Sequence, residues 1–205
     1  MKRSLCIAAF LPRSRANGPG LRSVLWVQGC PLRCAGCFNP DFVPFVGGRE
    51  AAPSAIAGWM LAEPQTEGVS FSGGEPFAQA EALAEVAEAV RAAGKGVLVF
   101  TGFAAAMLRR RRDRGVRRLL AASDLLVAGP YQRERAQSHA LLASSNQELV
   151  FLSERYRGVD PGVRRVEFRV GSDGVVAVTG FPAGREIGAG QTAPSPLVGE
   201  RRDGG

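Results

Sequence analysis

The apolar positions of this chain fall into short segments whose spacing alternates between that of strands and that of helices. Short apolar or β-rich runs predict strands at 5–11, 21–28, 69–72, 97–101 and 124–128. Apolar residues at helical spacing predict helices at 54–62, 76–93 and 104–112, and 38–50 has the composition of a loop. This alternation predicts an α/β fold whose mostly parallel strands are joined by right-handed crossovers.

Individual residues mark the expected ends of the helices. Pro76 suits the first turn of the longest helix, and Gly94 can cap its C-terminus. Ser54, which follows Pro53, is the expected N-cap of the first helix.

The last fifty residues have a different pattern. Two β-rich runs at 165–170 and 175–179 flank the sequence GSDG at 171–174, which predicts a β-hairpin. From about residue 182 onward Gly, Ala, Pro and Arg dominate without periodicity, which predicts a disordered tail. We therefore expect a main domain over 1–155, a hairpin extension over 156–181 and a tail over 182–205.

The bulk composition fits one globular domain. The chain has 205 residues, of which 45% are hydrophobic, and no apolar run is long enough to span a membrane. Lys2 and Arg3 precede the first apolar run as in a weak signal peptide, but Pro12 and Arg13 end it without a cleavage site. We therefore expect a cytoplasmic protein with no membrane partner.

The basic charge does not by itself indicate a nucleic-acid partner. The net charge is +7, and 24 of the 26 basic residues are arginine, a bias that a GC-rich genome would produce. The densest group, Arg109–Arg112 with three further arginines up to Arg118, has no interleaved aromatic residues and is interpreted as a solvated helix face. The one histidine, His139, argues against Cys/His zinc sites and a Ser–His–Asp triad, and we expect it at the surface.

The cysteines point to a metal. Cys30, Cys34 and Cys37 form a CxxxCxxC pattern, whereas Cys6 stands alone in the first predicted strand. A cubane cluster normally takes four thiolates, so three would leave one iron open, as a catalytic site requires. A structural zinc with Cys6, His139 or a distant carboxylate as fourth ligand, and an electron-transfer ferredoxin, remain alternatives on spacing alone.

A second motif, VSFSGGEP at 69–76, places two glycines and a carboxylate at the end of a predicted strand. Ligands of parallel α/β folds bind at that edge, where Gly73 and Gly74 allow close approach and Glu75 offers an anion. A simple turn before a helix is the alternative for this motif alone.

Together these motifs resemble the radical-SAM superfamily. Over about residues 5–155 the chain resembles the activating component of the anaerobic (class III) ribonucleotide reductase, a relative of the pyruvate formate-lyase activating enzyme. The resemblance is carried in order by NGPG at 17–20, QGC at 28–30, CFN at 37–39, SGGEP at 72–76, FTGF at 100–103, DLLV at 124–127 and SSNQ at 144–147.

The resemblance implies a partial (β/α) barrel that carries a [4Fe–4S] cluster and S-adenosylmethionine (SAM). It implies Cys30, Cys34 and Cys37 as cluster ligands and the turn Gly73, Gly74 and Glu75 as the site of the methionyl amino group. It also implies Phe38 near the adenine and Thr101 near the ribose. The resemblance implies that the cluster and SAM carry out the chemical steps, so we assign no catalytic side chain.

The implied partners are a glycyl-radical enzyme as protein substrate and a flavodoxin or ferredoxin as electron donor. The chain departs from the family pattern at Gly36, Ala128, Leu142 and Ala143, of which the last three could affect the partner. Two other functions stay open: a radical-SAM enzyme that modifies another peptide or a small molecule, and a non-enzymatic iron–sulfur or zinc module.

Overall fold

The computed structural model describes residues 4–163, 165–170 and 176–180. The strands are β1 Leu5–Ser14, β2 Arg22–Val27, β3 Arg49–Ala51, β4 Gly68–Gly73, β5 Gly96–Thr101, β6 Leu125–Ala128, β7 Glu148–Phe151, β8 Val166–Val170 and β9 Val176–Gly180. The helices are α1 Pro53–Leu61, α2 Ala80–Ala92, α3 Ala105–Arg110 and α4 Arg114–Ala122.

Seven strands form one mixed sheet in the order β3-β1-β2-β4-β5-β6-β7. The four central strands β2, β4, β5 and β6 are parallel, and β1, β3 and β7 join antiparallel at the two sides. The central strands follow one another in chain order, so right-handed crossovers place all the helices on one face, as in a (β/α) barrel. The predicted α/β fold with mostly parallel central strands is confirmed.

The two faces of the sheet are covered differently. The helix-side core joins strand residues such as Phe71 and Val99 to helix residues such as Ile56 and Leu83. On the opposite face, Leu98 and Val127 pack against Leu141 and Tyr156, which belong to loops. Val127 and Leu141 also line the cleft described below, so that cleft lies on the loop-covered side of the sheet.

Several element ends differ from the prediction. Ser54 is not the N-cap of α1, because the helix already begins at Pro53, whose missing N–H suits the first helical position. The predicted helix 76–93 begins with a 3₁₀ turn, Pro76–Gln79, before α2. At the other end Gly94 adopts φ +78° and its N–H bonds to Arg91 O, as predicted for a C-terminal cap.

The arginine-rich segment contains a helix break that the sequence analysis missed. The predicted helix 104–112 ends at Arg110, and a second helix, α4, begins at Arg114. Asp113 caps α4 by accepting a 2.9 Å hydrogen bond from Val116 N. The edge strands β3 and β7 were not predicted either, because strands of three and four residues give too short a pattern to recognise.

The NGPG segment lies at the N-terminal ends of the parallel strands, away from the cysteines. There the fully buried Arg22 donates hydrogen bonds to Pro19 O, Ser70 Oγ and Tyr156 Oη. Asn17 O accepts a 2.6 Å hydrogen bond from Ser70 Oγ. This motif therefore stabilises the end of the sheet opposite the cysteines.

Strands β8 and β9 pair antiparallel, which confirms the predicted hairpin strands. The pair is attached near the end of β1, where Asn17 Nδ2 donates to Thr179 Oγ1 and Arg15 N donates to Glu167 Oε1. The predicted hairpin turn at 171–174 and the predicted tail at 182–205 lie outside the described residues, and the domain division stays a prediction. No helix within the described ranges is long and apolar enough to cross a membrane.

Candidate iron–sulfur and cosubstrate site

The C-terminal ends of β2, β4, β5 and β6 converge on an open cleft. All eight residues predicted for the cluster and SAM line this cleft: Cys30, Cys34, Cys37, Phe38, Gly73, Gly74, Glu75 and Thr101. Cys6 is not part of the lining, and its thiol donates to Gly47 O at 3.3 Å instead.

The cysteine loop is shaped by left-handed backbone conformations. Gly29 and Gly36 have φ +93° and +71°, and Arg33, at φ +47°, is the one non-glycine residue with positive φ in the described part of the chain. Such a conformation is uncommon outside glycine and is typical of functional loops. It turns this short segment so that all three thiols line one cleft.

Backbone N–H groups are directed at two of the thiols. Asn39 N lies 3.4 Å from Cys37 Sγ, and the amides of Leu32 and Arg33 are directed at Cys30. Burial raises the pKa of the Cys30 and Cys37 thiols, and these amides oppose the increase. Amides aimed at sulfur stabilise the thiolate form that iron binds.

The three thiols are donors that an iron–sulfur cluster takes. In the segments that the structure describes, no three His, Cys, Asp or Glu side chains have the geometry to hold one metal ion. In a cubane each thiolate binds its own iron, so three cysteines would leave one iron without a protein thiolate. Cys30, Cys34 and Cys37 on one loop, with amides directed at two of the sulfurs, are donors of the kind that such a cluster takes.

The Gly-Gly-Glu turn is joined to the start of the cysteine loop. Gly74 N donates to Val27 O at 2.7 Å, and Glu75 N donates to Gly29 O at 2.9 Å. A Cβ on Gly74 would overlap the carbonyl oxygens of Gly29 and Phe42. The glycine is thus required by the close approach of two strand ends, which fixes the turn beside Cys30.

Glu75 is 1% exposed, and its carboxylate is directed at the end of β5. Oε1 accepts from Phe77 N and Thr101 Oγ1, and Oε2 accepts from Gly102 N, at 2.8 to 2.9 Å. Burial raises the pKa of Glu75 to about 7, and these hydrogen bonds oppose the increase. The side chain therefore connects the ends of β4 and β5 at the floor of the cleft.

Thr101 and Phe38 lie in the cleft with contacts of their own. The Thr101 hydroxyl donates to Glu75 and accepts from Phe103 N at 3.1 Å, so it also orders the turn after β5. The Phe38 ring packs on Tyr131 with centroids 4.7 Å apart. Their predicted contacts with ribose and adenine stay predictions.

A further wall of the cleft is formed by residues of the segment 131–147, to which the sequence analysis assigned no site residue. Tyr131, Leu141, Ala143 and Gln147 line the cleft. Gln147 Oε1 accepts from Ala143 N and Ser144 N, and its Nε2 donates to Gly129 O at 2.9 Å. The SSNQ motif was the available signal, because its glutamine holds this wall against the end of β6.

The lone histidine has a structural role in the same wall. His139 Nδ1 accepts hydrogen bonds from Leu141 N and Leu142 N at 3.0 and 3.1 Å. Of the family departures, Ala143 lines the cleft, whereas Ala128 is fully buried in the helix-side core. The alanine at 128 therefore does not change the lining of the cleft.

The fold and the cysteine loop define an iron–sulfur protein, and comparison with known proteins gives its family. The model of the 4Fe–4S single cluster domain matches residues 16–150, so the chain belongs to that family. It is 30% identical over 135 residues to the anaerobic ribonucleoside-triphosphate reductase-activating protein of Vibrio cholerae, of which the match covers 84%. The resemblance to the radical-SAM activating enzymes is thereby confirmed, and with it the [4Fe–4S] cluster and SAM as cofactors of the family.

Two longer relatives match in part. The chain is 40% identical over 75 residues to the pyruvate formate-lyase-activating enzyme of Clostridium pasteurianum. It is 35% identical over 90 residues to a putative glycyl-radical enzyme activating enzyme of Haemophilus influenzae. These matches cover 32% and 34% of the relatives, about a third of each.

Proposed function

We propose that this protein is a radical-SAM activating enzyme that generates a glycyl radical on a partner enzyme of the ribonucleotide reductase or pyruvate formate-lyase type. One observation carries the proposal: three cysteines with no fourth cysteine beside them share one cleft with the Gly-Gly-Glu turn. The names of the relatives support the choice of partner.

Cys30, Cys34 and Cys37 are the residues that would ligate the cluster, one to each of three irons. When bound, the cluster and SAM supply one-electron cleavage of the sulfonium to methionine and a 5′-deoxyadenosyl radical, which removes hydrogen from a partner glycine. The protein contributes binding, orientation and exclusion of water.

Different residues of the cleft would make these contributions. Gly73 and Gly74 line the cleft where the methionyl amino group would bind, and Glu75 holds the turn in place through Thr101 and Gly102. Residues of the segment 131–147 form a further wall of the cleft. Phe38, which lines the cleft and packs on Tyr131, would contact the adenine.

A first experiment tests the ligands. After anaerobic reconstitution with iron and sulfide, the Cys34→Ala variant should lose the cluster absorption and 5′-deoxyadenosine formation. Cys6→Ala is the matched control and should retain both, since Cys6 lies outside the cleft. Equal loss from both variants would show that the ligands are misassigned.

A second experiment tests the partner. The reduced protein and SAM are mixed with the anaerobic reductase or the lyase of the same host, and a glycyl radical is sought by electron paramagnetic resonance. A doublet that depends on SAM supports the proposal. SAM cleavage without a radical on either partner would favour modification of another peptide or a small molecule, and a colourless zinc protein would favour a non-enzymatic module. The cytoplasmic location and the flavodoxin or ferredoxin donor stay predictions.

A further inference from the structure

The loop that precedes β3 has an apolar tip, although surface loops are usually polar. Residues 42–48 carry no charged side chain, and Phe45 and Val46 are 66% and 78% exposed. Pro44 is exposed beside them. We call Pro44, Phe45 and Val46 the apolar tip.

The backbone of the apolar tip is held from inside the protein. Gln28, which is buried, donates from Nε2 to Pro44 O at 2.8 Å and to Val46 O at 3.2 Å. Just beyond the tip, a Cβ on Gly48 would lie 2.9 Å from Gln28 Cβ, so the loop returns tightly packed towards the sheet. A loop whose backbone is already held loses little conformational freedom when a partner binds it.

The apolar tip lies beside the cysteine loop. The Phe45 ring packs on Gly29, where an added Cβ would come within 2.6 Å of it, and Gly29 directly precedes Cys30. Gly29 O also accepts the hydrogen bond from Glu75 N. The tip therefore lies at the same strand ends as the cleft and contacts the residue next to a cysteine that lines it.

The size and composition of the apolar tip indicate one part of a larger contact. Three residues expose far less than the ~800 Å² that each partner buries in a stable interface, so the tip alone does not account for a dimer of this chain. A protein that inserts a backbone segment into the cleft covers the neighbouring surface as well, and aromatic side chains are frequent anchors of such contacts. Because residues 42–48 carry no charge, they fit an apolar pocket on that protein better than an acidic surface.

We infer that the apolar tip docks the protein whose glycine is brought into the cleft, by inserting Phe45 and Val46 into an apolar pocket of that protein. This inference rests on the proposed function, because it requires a protein substrate. The tip acts in binding and takes no part in the cleavage of SAM.

The test compares two double variants that replace the same pair of side chains. F45S/V46S changes the apolar tip. F168S/V170S is the matched control, because Phe168 and Val170 of β8 are 64% and 72% exposed and the hairpin is attached at the other end of the sheet. Each reconstituted protein is reduced with dithionite and mixed with SAM and the anaerobic reductase or the lyase of the same host. The rate of glycyl radical formation is measured by electron paramagnetic resonance at increasing partner concentration.

F45S/V46S should raise the KM for the partner enzyme at least about tenfold, as expected for an apolar anchor of an interface. The increase should be the same at low and at high salt, because no charge is removed. Cluster absorption and the SAM cleavage that dithionite drives without a partner should be unchanged. F168S/V170S should stay within about twofold of the unchanged protein in every measurement.

An equal KM for the two double variants would overturn the inference. V46D keeps the Phe45 ring on Gly29 and decides the case if F45S/V46S loses its cluster: a raised KM supports docking, and an unchanged KM overturns it.

Two further results would assign the apolar tip to another occupant and so overturn the inference. One is slower reduction of F45S/V46S by a ferredoxin with an unchanged KM for the partner enzyme. The other is a dimer in sedimentation that F45S/V46S dissociates, again with an unchanged KM. If the unchanged protein cleaves SAM but forms no radical on either partner enzyme, the proposed function fails, whereas normal radical formation by F45S/V46S contradicts the docking alone.

Discussion

The Thr101 hydroxyl donates a 2.8 Å hydrogen bond to the buried carboxylate of Glu75 and so joins the ends of two neighbouring parallel strands. The same oxygen accepts from Phe103 N, which orders the turn that packs on Leu32 of the cysteine loop. One hydroxyl therefore connects the Gly-Gly-Glu turn to the cysteine loop through β5.

Replacing Thr101 with valine should weaken the connection between the Gly-Gly-Glu turn and the cysteine loop. Thr101→Val leaves a buried carboxylate oxygen without one donor and Phe103 N without its acceptor, which should cost about 1–3 kcal/mol of stability. SAM affinity should fall as the turn loosens, as measured by equilibrium binding on the reconstituted protein. Thr101→Ser keeps the hydroxyl and should restore affinity, whereas equal loss in both variants would contradict the role of this bond.

Two glycine substitutions should have opposite effects on stability. Gly74→Ala forces a methyl group onto the carbonyls of Gly29 and Phe42, so the strand ends must separate and the free energy of unfolding should fall. A Cβ on Gly58 of α1 meets nothing within 4 Å, so Gly58→Ala should raise it by about 0.5–1 kcal/mol. Urea unfolding measures both. Tolerance of Gly74→Ala with full cluster loading would refute the close approach.

Gln147 should control the opening of the wall. Gln147→Leu removes hydrogen bonds to Ala143 N, Ser144 N and Gly129 O, so residues 131–147 should open locally more often. Trypsin should then cut after Arg133 and Arg135 at least about tenfold faster, the equivalent of ~1.4 kcal/mol of local stability. The internal control is cleavage after Arg157, which should keep its rate. Acceleration at all three sites would indicate global unfolding instead.

The buried Glu75 should make the stability of the cluster-free protein depend on pH. Burial raises its folded-state pKa to about 7, above the unfolded value, so folding favours the protonated acid. The stabilisation is complete below the unfolded pKa and is lost as pH rises through about 7. A rise in pH from 5 to 8 should therefore lower the free energy of unfolding by roughly 2–3 kcal/mol through this group alone.

The variant Glu75→Gln isolates that contribution. Gln does not titrate, so the difference in unfolding free energy between the variant and the unchanged protein should shift by that amount between pH 5 and 8, as measured by urea unfolding. A difference that is constant with pH would show that Glu75 keeps one charge state across this range.

The sequence predicted the residues of the cleft better than the boundaries of the elements. Cys30 and Glu75 could be placed together because each follows a buried strand, and the C-terminal ends of parallel strands meet at one edge. The break at Asp113 was missed because a run of arginines fits a continuous helix as well as two short ones. β7 was missed because four residues, Glu148–Phe151, are too few to show a period.

What the sequence by itself determined is local: the cysteine spacing, the glycines of the turn and the alternation of strands and helices. The tertiary structure alone decided that Glu75 bonds to Thr101, 26 residues away, that Tyr131 and Gln147 line the same cleft as the cysteines, and that Arg111 packs on Phe103. The physical reason is that local pattern reports burial and backbone preference. Contacts between distant residues depend instead on the order and register of the strands that bring them together.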